Sequence, residues 1–191
     1  MPSRRDITLA LAAAMAACLL ALPGLASAQT GTGSGGVSPD DPAFKPAGKA
    51  KLINGIAFAP ADAPPAVVAA INAANKIVTK PYRYGGGHAA GFNDTGYDCS
   101  GSVSYLLHGG GLLTAPLDSS AFMSWGEAGV GKWLTVYTNP GHAFAMIAGL
   151  RFDTGFRTRV ARKRGAKPGS GPRWDIKRST AGFTARHPLG L

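Results

Sequence analysis

An α+β domain is what this sequence predicts: two helical stretches come early, and alternating strands joined by short turns follow them. The first helix opens at Ala63-Pro64-Pro65, where proline suits the first turn. Val67, Val68, Ile71, Ala74 and Ile77 then recur on one face. Pro81 to Gly96 reads as glycine-rich loop. In the second helix Val103, Leu106 and Leu107 fall at helical spacing and Gly109-Gly110-Gly111 stops the run. Asp98 is then the N-cap and Cys99 a first-turn residue. Ser119 to Trp125 suits a further short helix. Lys132 to Tyr137 alternates as a strand, and so does His142 to Ala148, which sets His142, Phe144 and Met146 on one face. Gly149-Leu150 is the expected turn into a third strand through Phe152 and Asp153.

Residues 1–28 read as an export signal. Arg4 and Arg5 precede the apolar stretch from Ile7 to Leu25, and Ala26-Ser27-Ala28 offers a small-residue cleavage site. Pro23 and the short, Ala-rich apolar run argue against a permanent membrane span. Arg4-Arg5 keeps both the general and the twin-arginine export routes open. Cys18 sits too early in the apolar run for lipid attachment. Residues 29–60 are rich in Gly, Ser and Pro and read as a flexible linker, leaving one domain over 61–191. The expected location is secreted or periplasmic, associated with the cell envelope.

The formal charge of +10 is unevenly placed. From Gln29 to Leu150 seven basic residues balance seven acidic ones. From Arg151 onward eleven basic residues face only Asp153 and Asp175. The stretch of Arg157, Arg159, Arg162, Lys163, Arg164 and Lys167 is densest. Such a tail suits the anionic surface of a cell envelope as partner. Nucleic acid is disfavoured by the export leader and by the lack of an aromatic-interleaved basic motif.

Once the leader is removed, Cys99 is the single cysteine of the chain. A lone thiol in an exported protein is either buried and inert or kept free because it reacts. The start of a helix favours reaction: its open N–H groups and positive dipole end stabilise a thiolate and can hold an oxyanion. Such a thiol needs a base, and His142, opening a strand after Asn139-Pro140-Gly141, is placed to supply it. A carboxylate beside a thiolate repels it, so Asp98 is expected to turn away, as a helix cap or as partner to an ammonium. His88, Cys99, His142 and His187 lack the paired spacing of metal ligands, so neither metal nor cofactor is expected. His88, after three glycines beside the motif loop, reads first as a solvated loop residue and second as a lining of the cleft, and His108 reads as a partner of its helix C-terminus.

Pro81-Tyr82-Arg83-Tyr84-Gly85-Gly86, Asp98-Cys99-Ser100-Gly101 and Gly141-His142, in this order, resemble the NlpC-like family of papain-fold bacterial cell-wall peptidases. The resemblance spans about Val67 to Thr154. It implies a papain-like domain, N-terminal helices on a small antiparallel sheet, with Cys99 as nucleophile and His142 as general base. The implied reaction is hydrolysis of amide bonds in peptidoglycan stem peptides, usually from D-glutamate to the diamino acid. Tyr82 matches a tyrosine that lines the family's site. Asp98 and Ser100 match positions that help hold the free amino end of the stem peptide.

The chain also departs from that pattern. Tyr84 stands where the family has Trp, and the Pro-Gly-Asp turn before the histidine strand is missing. The family's third polar residue is usually a His about a dozen positions after the base. Here Asp153 is the first candidate, by analogy with other triads, and His187 the second. A two-residue turn at Gly149-Leu150 would set Asp153 opposite Met146, too far from His142, so a wider turn or bulge is expected. Two rival functions remain: an amidase cutting between sugar and peptide on the same fold, and a non-catalytic wall-binding module using the basic tail. Intact Cys99 and His142 weigh against the second.

Overall fold

The computed structural model describes residues 48–155, 171–176 and 179–191. The export signal, the linker as far as residue 47 and the densest basic stretch, 156–170, lie outside the described residues.

A hairpin comes first: β1 (Lys51–Ile53) and β2 (Ile56–Phe58) pair antiparallel around Asn54-Gly55. Both turn residues have positive φ, 51° and 81°, the geometry that matches the twist of two-residue hairpins. The expected linker to residue 60 therefore stops short of this point. Asn-Gly between apolar residues is a hairpin signal that the surrounding Gly and Pro content obscured.

Helix α1 (Pro65–Ile77) starts on its proline as expected and buries Val67, Ala70, Ile71, Ala74 and Ile77. Helix α2 (Cys99–Gly109) buries Val103, Leu106 and Leu107. His108 stacks on Phe92 with ring centroids 4.0 Å apart, and its Nδ1 meets the Leu113 carbonyl beyond the helix end. The expected short helix is a single 3-10 turn, Ala121–Ser124.

Six strands then form one antiparallel sheet. They are β3 (Glu127–Ala128), β4 (Leu134–Asn139), β5 (His142–Ile147), β6 (Leu150–Asp153), β7 (Arg173–Asp175) and β8 (Thr184–His187), in the order β3-β8-β4-β5-β6-β7. Leu134, Val136, Ala143, Ala145, Ile147 and Phe152 share one core cluster with the apolar faces of α1 and α2. The α+β expectation, helices on a small antiparallel sheet, therefore holds.

The β5–β6 turn corrects the expected register. Ile147 pairs with Leu150, Met146 with Arg151 and Ala145 with Phe152, so the turn residues are Ala148 and Gly149. Both have positive φ, 45° and 80°. Alanine adopts that conformation reluctantly, but here its N–H donates to the Trp133 carbonyl and its own carbonyl accepts from Ala50 N–H, each at 2.8 Å. Continuing this register sets Asp153 across from Phe144 rather than Met146. No wide turn or bulge is needed.

Asn75 ties the periphery to α1. Its side-chain oxygen accepts from Ala57 N–H (3.1 Å) and from Trp174 Nε1 (2.8 Å), and its Nδ2 donates to the Ala57 carbonyl (2.8 Å). One amide thus pins both β2 and β7. Asn75→Ala should cost about 2–3 kcal/mol in urea denaturation, because partly buried donors and acceptors lose their partner. A change within a few tenths would show that the three bonds are replaced by water.

Candidate active site

Asp98 is the N-cap of α2: its backbone is extended and Oδ1 accepts from Gly101 N–H at 2.8 Å. Its other oxygen accepts from Gly85 N–H at 2.9 Å. The loop from Pro81 lies hard against the start of α2, and the glycines are what permit it. A Cβ on Gly101 would stand 2.0 Å from the Gly86 carbonyl oxygen, and one on Gly87 2.5 Å from the Tyr97 ring. Tyr82 bridges to Tyr97 at the base of this loop. Tyr82 is 38% exposed and Tyr84 91% exposed, so neither belongs to the core.

Cys99 opens α2 and is partly buried. Burial pushes its thiol up, but a hydrogen bond with His142, the N–H of Ala143 and the charge of His142 outweigh this. The thiol lies below its ordinary value even with the Asp98 carboxylate working against it. His142 is the first residue of β5. Burial lowers its basicity, whereas hydrogen bonds to Asp153 and Cys99, with the charges of both, raise it from 6.5 to about 9. At neutral pH the imidazole is therefore held in its charged form, and that charge favours ionisation of the thiol beside it.

Asp153, at the end of β6, has a fully buried side chain and meets His142 at 2.8 Å, Nε2 to Oδ1. With Nε2–H donating there, Nδ1 is the nitrogen left for the sulfur. Gly155 N–H donates to the same carboxylate oxygen at 2.7 Å. Phe183 meets the His142 ring edge-on, with centroids 6.2 Å apart. His187, the second candidate for this position, is engaged elsewhere. Its Nε2 lies 3.3 Å from Glu127 Oε2 and its Nδ1 3.2 Å from the Gly129 carbonyl. It sits on β8, with β4 between it and β5.

Two parts of the site were not read from the sequence. His88 is not a solvated loop residue: its Nε2 is 3.0 Å from Asp98 Oδ1 and 3.3 Å from Ser100 Oγ. Ser100 Oγ in turn donates to Asp98 Oδ1 at 3.3 Å. Asp98 is thus held as a cap, its carboxylate occupied by partners on the loop and helix. Arg151 opens the basic tail, yet its side chain is wholly buried, with Nε 3.7 Å from Asp153 Oδ2 and Nη2 3.4 Å from Asp175 Oδ2. The signal was present: Arg-Phe-Asp in a strand puts the two charged residues on one face. Among the described residues, no group of three or more His, Cys, Asp or Glu could hold a metal ion, and no helix is long and apolar enough to cross a membrane.

No protein-family model matches the chain, and no curated protein matches it. Solved structures do. The chain is similar to the peptidoglycan hydrolase RipB from Mycobacterium tuberculosis, at 20% identity and a TM-score of 0.47. That match covers 66% of each chain, just under two thirds. A hypothetical invasion protein of Mycobacterium tuberculosis matches at 21% identity, 74% of this chain and 69% of that one, with a TM-score of 0.44. The resuscitation promoting factor interacting protein RipA, in a mutated form, matches at 20% identity, 75% and 70%, with a TM-score of 0.46.

In native protein at neutral pH, iodoacetamide should alkylate Cys99 readily, and His142→Ala should slow that reaction about tenfold or more. Labelling confined to denatured protein would mark an inert, structural thiol.

Proposed function

We propose that this chain is an exported cysteine peptidase that hydrolyses amide bonds in peptidoglycan stem peptides, without a cofactor. The observation that carries hydrolysis is the linked row Cys99–His142–Asp153: a depressed thiol at a helix start, bonded to an imidazole whose far nitrogen donates to a buried carboxylate. The substrate class rests on the resemblance of the Pro81–Gly86 and Asp98–Gly101 stretches to the NlpC-like peptidases.

In this reading the Cys99 thiolate attacks the carbonyl carbon, and the first-turn N–H groups of α2 steady the oxyanion. The C–N bond breaks as His142 gives its proton to the leaving amine. A water then attacks the thioester while His142 takes up its proton, releasing the acid and restoring the thiolate. Asp153 acts on the imidazole, fixing its tautomer and favouring its charged form. Tyr82, Asp98 and Ser100 are the proposed contacts for the amino end of the stem peptide. A substrate ammonium would reach Asp98 by replacing His88. Residues 1–28 as export signal and the basic stretch 157–167 as an anchor to anionic envelope belong to the same proposal.

Purified cell wall and a soluble stem tripeptide test it, with mass spectrometry locating the new amine. Cys99→Ala should abolish release in both, whereas Asp153→Asn should retain measurable turnover, since an orienting group acts through the histidine. A new amine on the diamino acid supports the peptidase reading. Cleavage between sugar and peptide would make the enzyme an amidase, and wall binding without cleavage would make it a binding module. Turnover should decline as pH rises through about 9, where His142 loses the proton it must donate. Activity still rising above that pH would contradict the role of the imidazolium.

A further inference from the structure

Asp153 presents a physical difficulty that His142 alone does not resolve. Its carboxylate is fully buried, and a buried charge is tolerated only when its own charge and lone pairs are matched. Oδ1 is committed to His142 Nε2 and Gly155 N–H. Oδ2 faces Arg151, whose guanidinium is equally buried and reaches on to Asp175. Strand register explains the arrangement. Arg151 lies directly across from Asp175, and Asp153 from Arg173, so basic and acidic residues alternate in a checkerboard over β6 and β7. On the β5 side the residue across from Arg151 is Met146, which has no charge. Arg173 is half-buried, so solvent weakens its pull on Asp153 relative to that of the enclosed Arg151.

We infer that Arg151 is a positioning residue that acts through Asp153: its buried charge, 3.7 Å away and beyond hydrogen-bond distance, balances the carboxylate that orients and charges His142, and a hydrogen bond to Asp175 fixes the guanidinium from behind. The inference rests on the reading of Cys99 and His142 as the reacting pair. Its consequence is electrostatic. With Arg151 in place, the row Cys99, His142, Asp153, Arg151 carries balanced charge when the thiolate forms. Without Arg151 the same row carries one surplus negative charge in a buried setting, and the thiolate becomes harder to form. Asp175→Asn has the opposite sign, because it removes a negative charge from the far end. A lysine at 151 keeps the charge but loses the planar guanidinium that lies between Asp153 and Asp175.

The test is the pH dependence of Cys99 alkylation by iodoacetamide, which needs no substrate, with thermal melting to show that each variant is folded. In Arg151→Met the alkylation midpoint should move up by about one pH unit, slowing labelling about tenfold at pH values below both midpoints. Arg151→Lys should stay within about threefold of wild type. Asp175→Asn should move the midpoint down, and that variant carries the test if Arg151→Met does not fold. A folded Arg151→Met with the wild-type profile would overturn the inference, as would an unmoved or upward midpoint in Asp175→Asn. Failure of the site reading looks different: wild-type Cys99 itself would then label only after denaturation.

Discussion

The register between β5 and β6 is the constraint on which the site depends. In an antiparallel pair, neighbours one diagonal step apart lie about 7–8 Å from one another, within reach of an imidazole and a carboxylate. A second diagonal step adds roughly another 7 Å of strand and puts them out of reach. With the turn at Ala148-Gly149, Asp153 is one diagonal step from His142 and the 2.8 Å contact forms. With the turn one residue later it would be two steps away. The left-handed alanine is therefore tied to the chemistry, although it lies at the opposite end of the strand. The Trp133 carbonyl and the Ala50 N–H, which brace it, belong to the same device.

Charge burial is the second organising fact. Imidazolium, carboxylate, guanidinium and a second carboxylate follow one another across β5, β6 and β7, most of them out of water. Buried ion pairs add little net stability, because desolvation offsets the attraction, yet removing one member leaves its partner stranded. Such a row therefore contributes less to holding the sheet together than to holding each group in a single protonation state and pose. The stability of the domain comes instead from the apolar cluster between the helices and the sheet.

Much of this was legible in the sequence, and the omissions have physical causes. The spacing of Val67, Ile71 and Ile77, and of Val103, Leu106 and Leu107, located both helices, because burial of one helical face repeats at that period. Asp98 as cap also followed from local pattern, whereas Asp153 as partner of His142 came from the resemblance and from triad analogy, against the expected strand count. The β5–β6 turn lies one residue earlier than expected because glycine can stand first or second in such turns, and only the contacts around Ala148 distinguish the two. Strands β3, β7 and β8 are two to four residues long, too short to show a period. Partners distant in sequence were least visible. Nothing local ties His88 to Asp98, and Arg151 was hidden by the many solvent-type basic residues that follow it.

The depressed thiol at Cys99 cannot be the work of the helix alone. A helix N-terminus stabilises an adjacent anion by roughly 0.3–1 kcal/mol when exposed and at most about 2 in favourable partly buried sites. That upper figure corresponds to about one and a half pH units. Burial and the Asp98 carboxylate both push the other way, and burial is the largest single influence on this sulfur. The balance is tipped by His142, which contributes both a hydrogen bond and a positive charge. It keeps that charge despite its own burial because Asp153 accepts from its far nitrogen. Asp98, for its part, is kept from doing more harm by being fully employed. Gly85, Gly101, His88 and Ser100 all donate to it, which fixes its carboxylate against the loop and helix backbone. The glycines that bring that loop within contact of α2 are thus part of how the Cys99 thiol is kept below its ordinary value. Any side chain at Gly101 would strike the Gly86 carbonyl, push the loop away and loosen the donors that occupy Asp98.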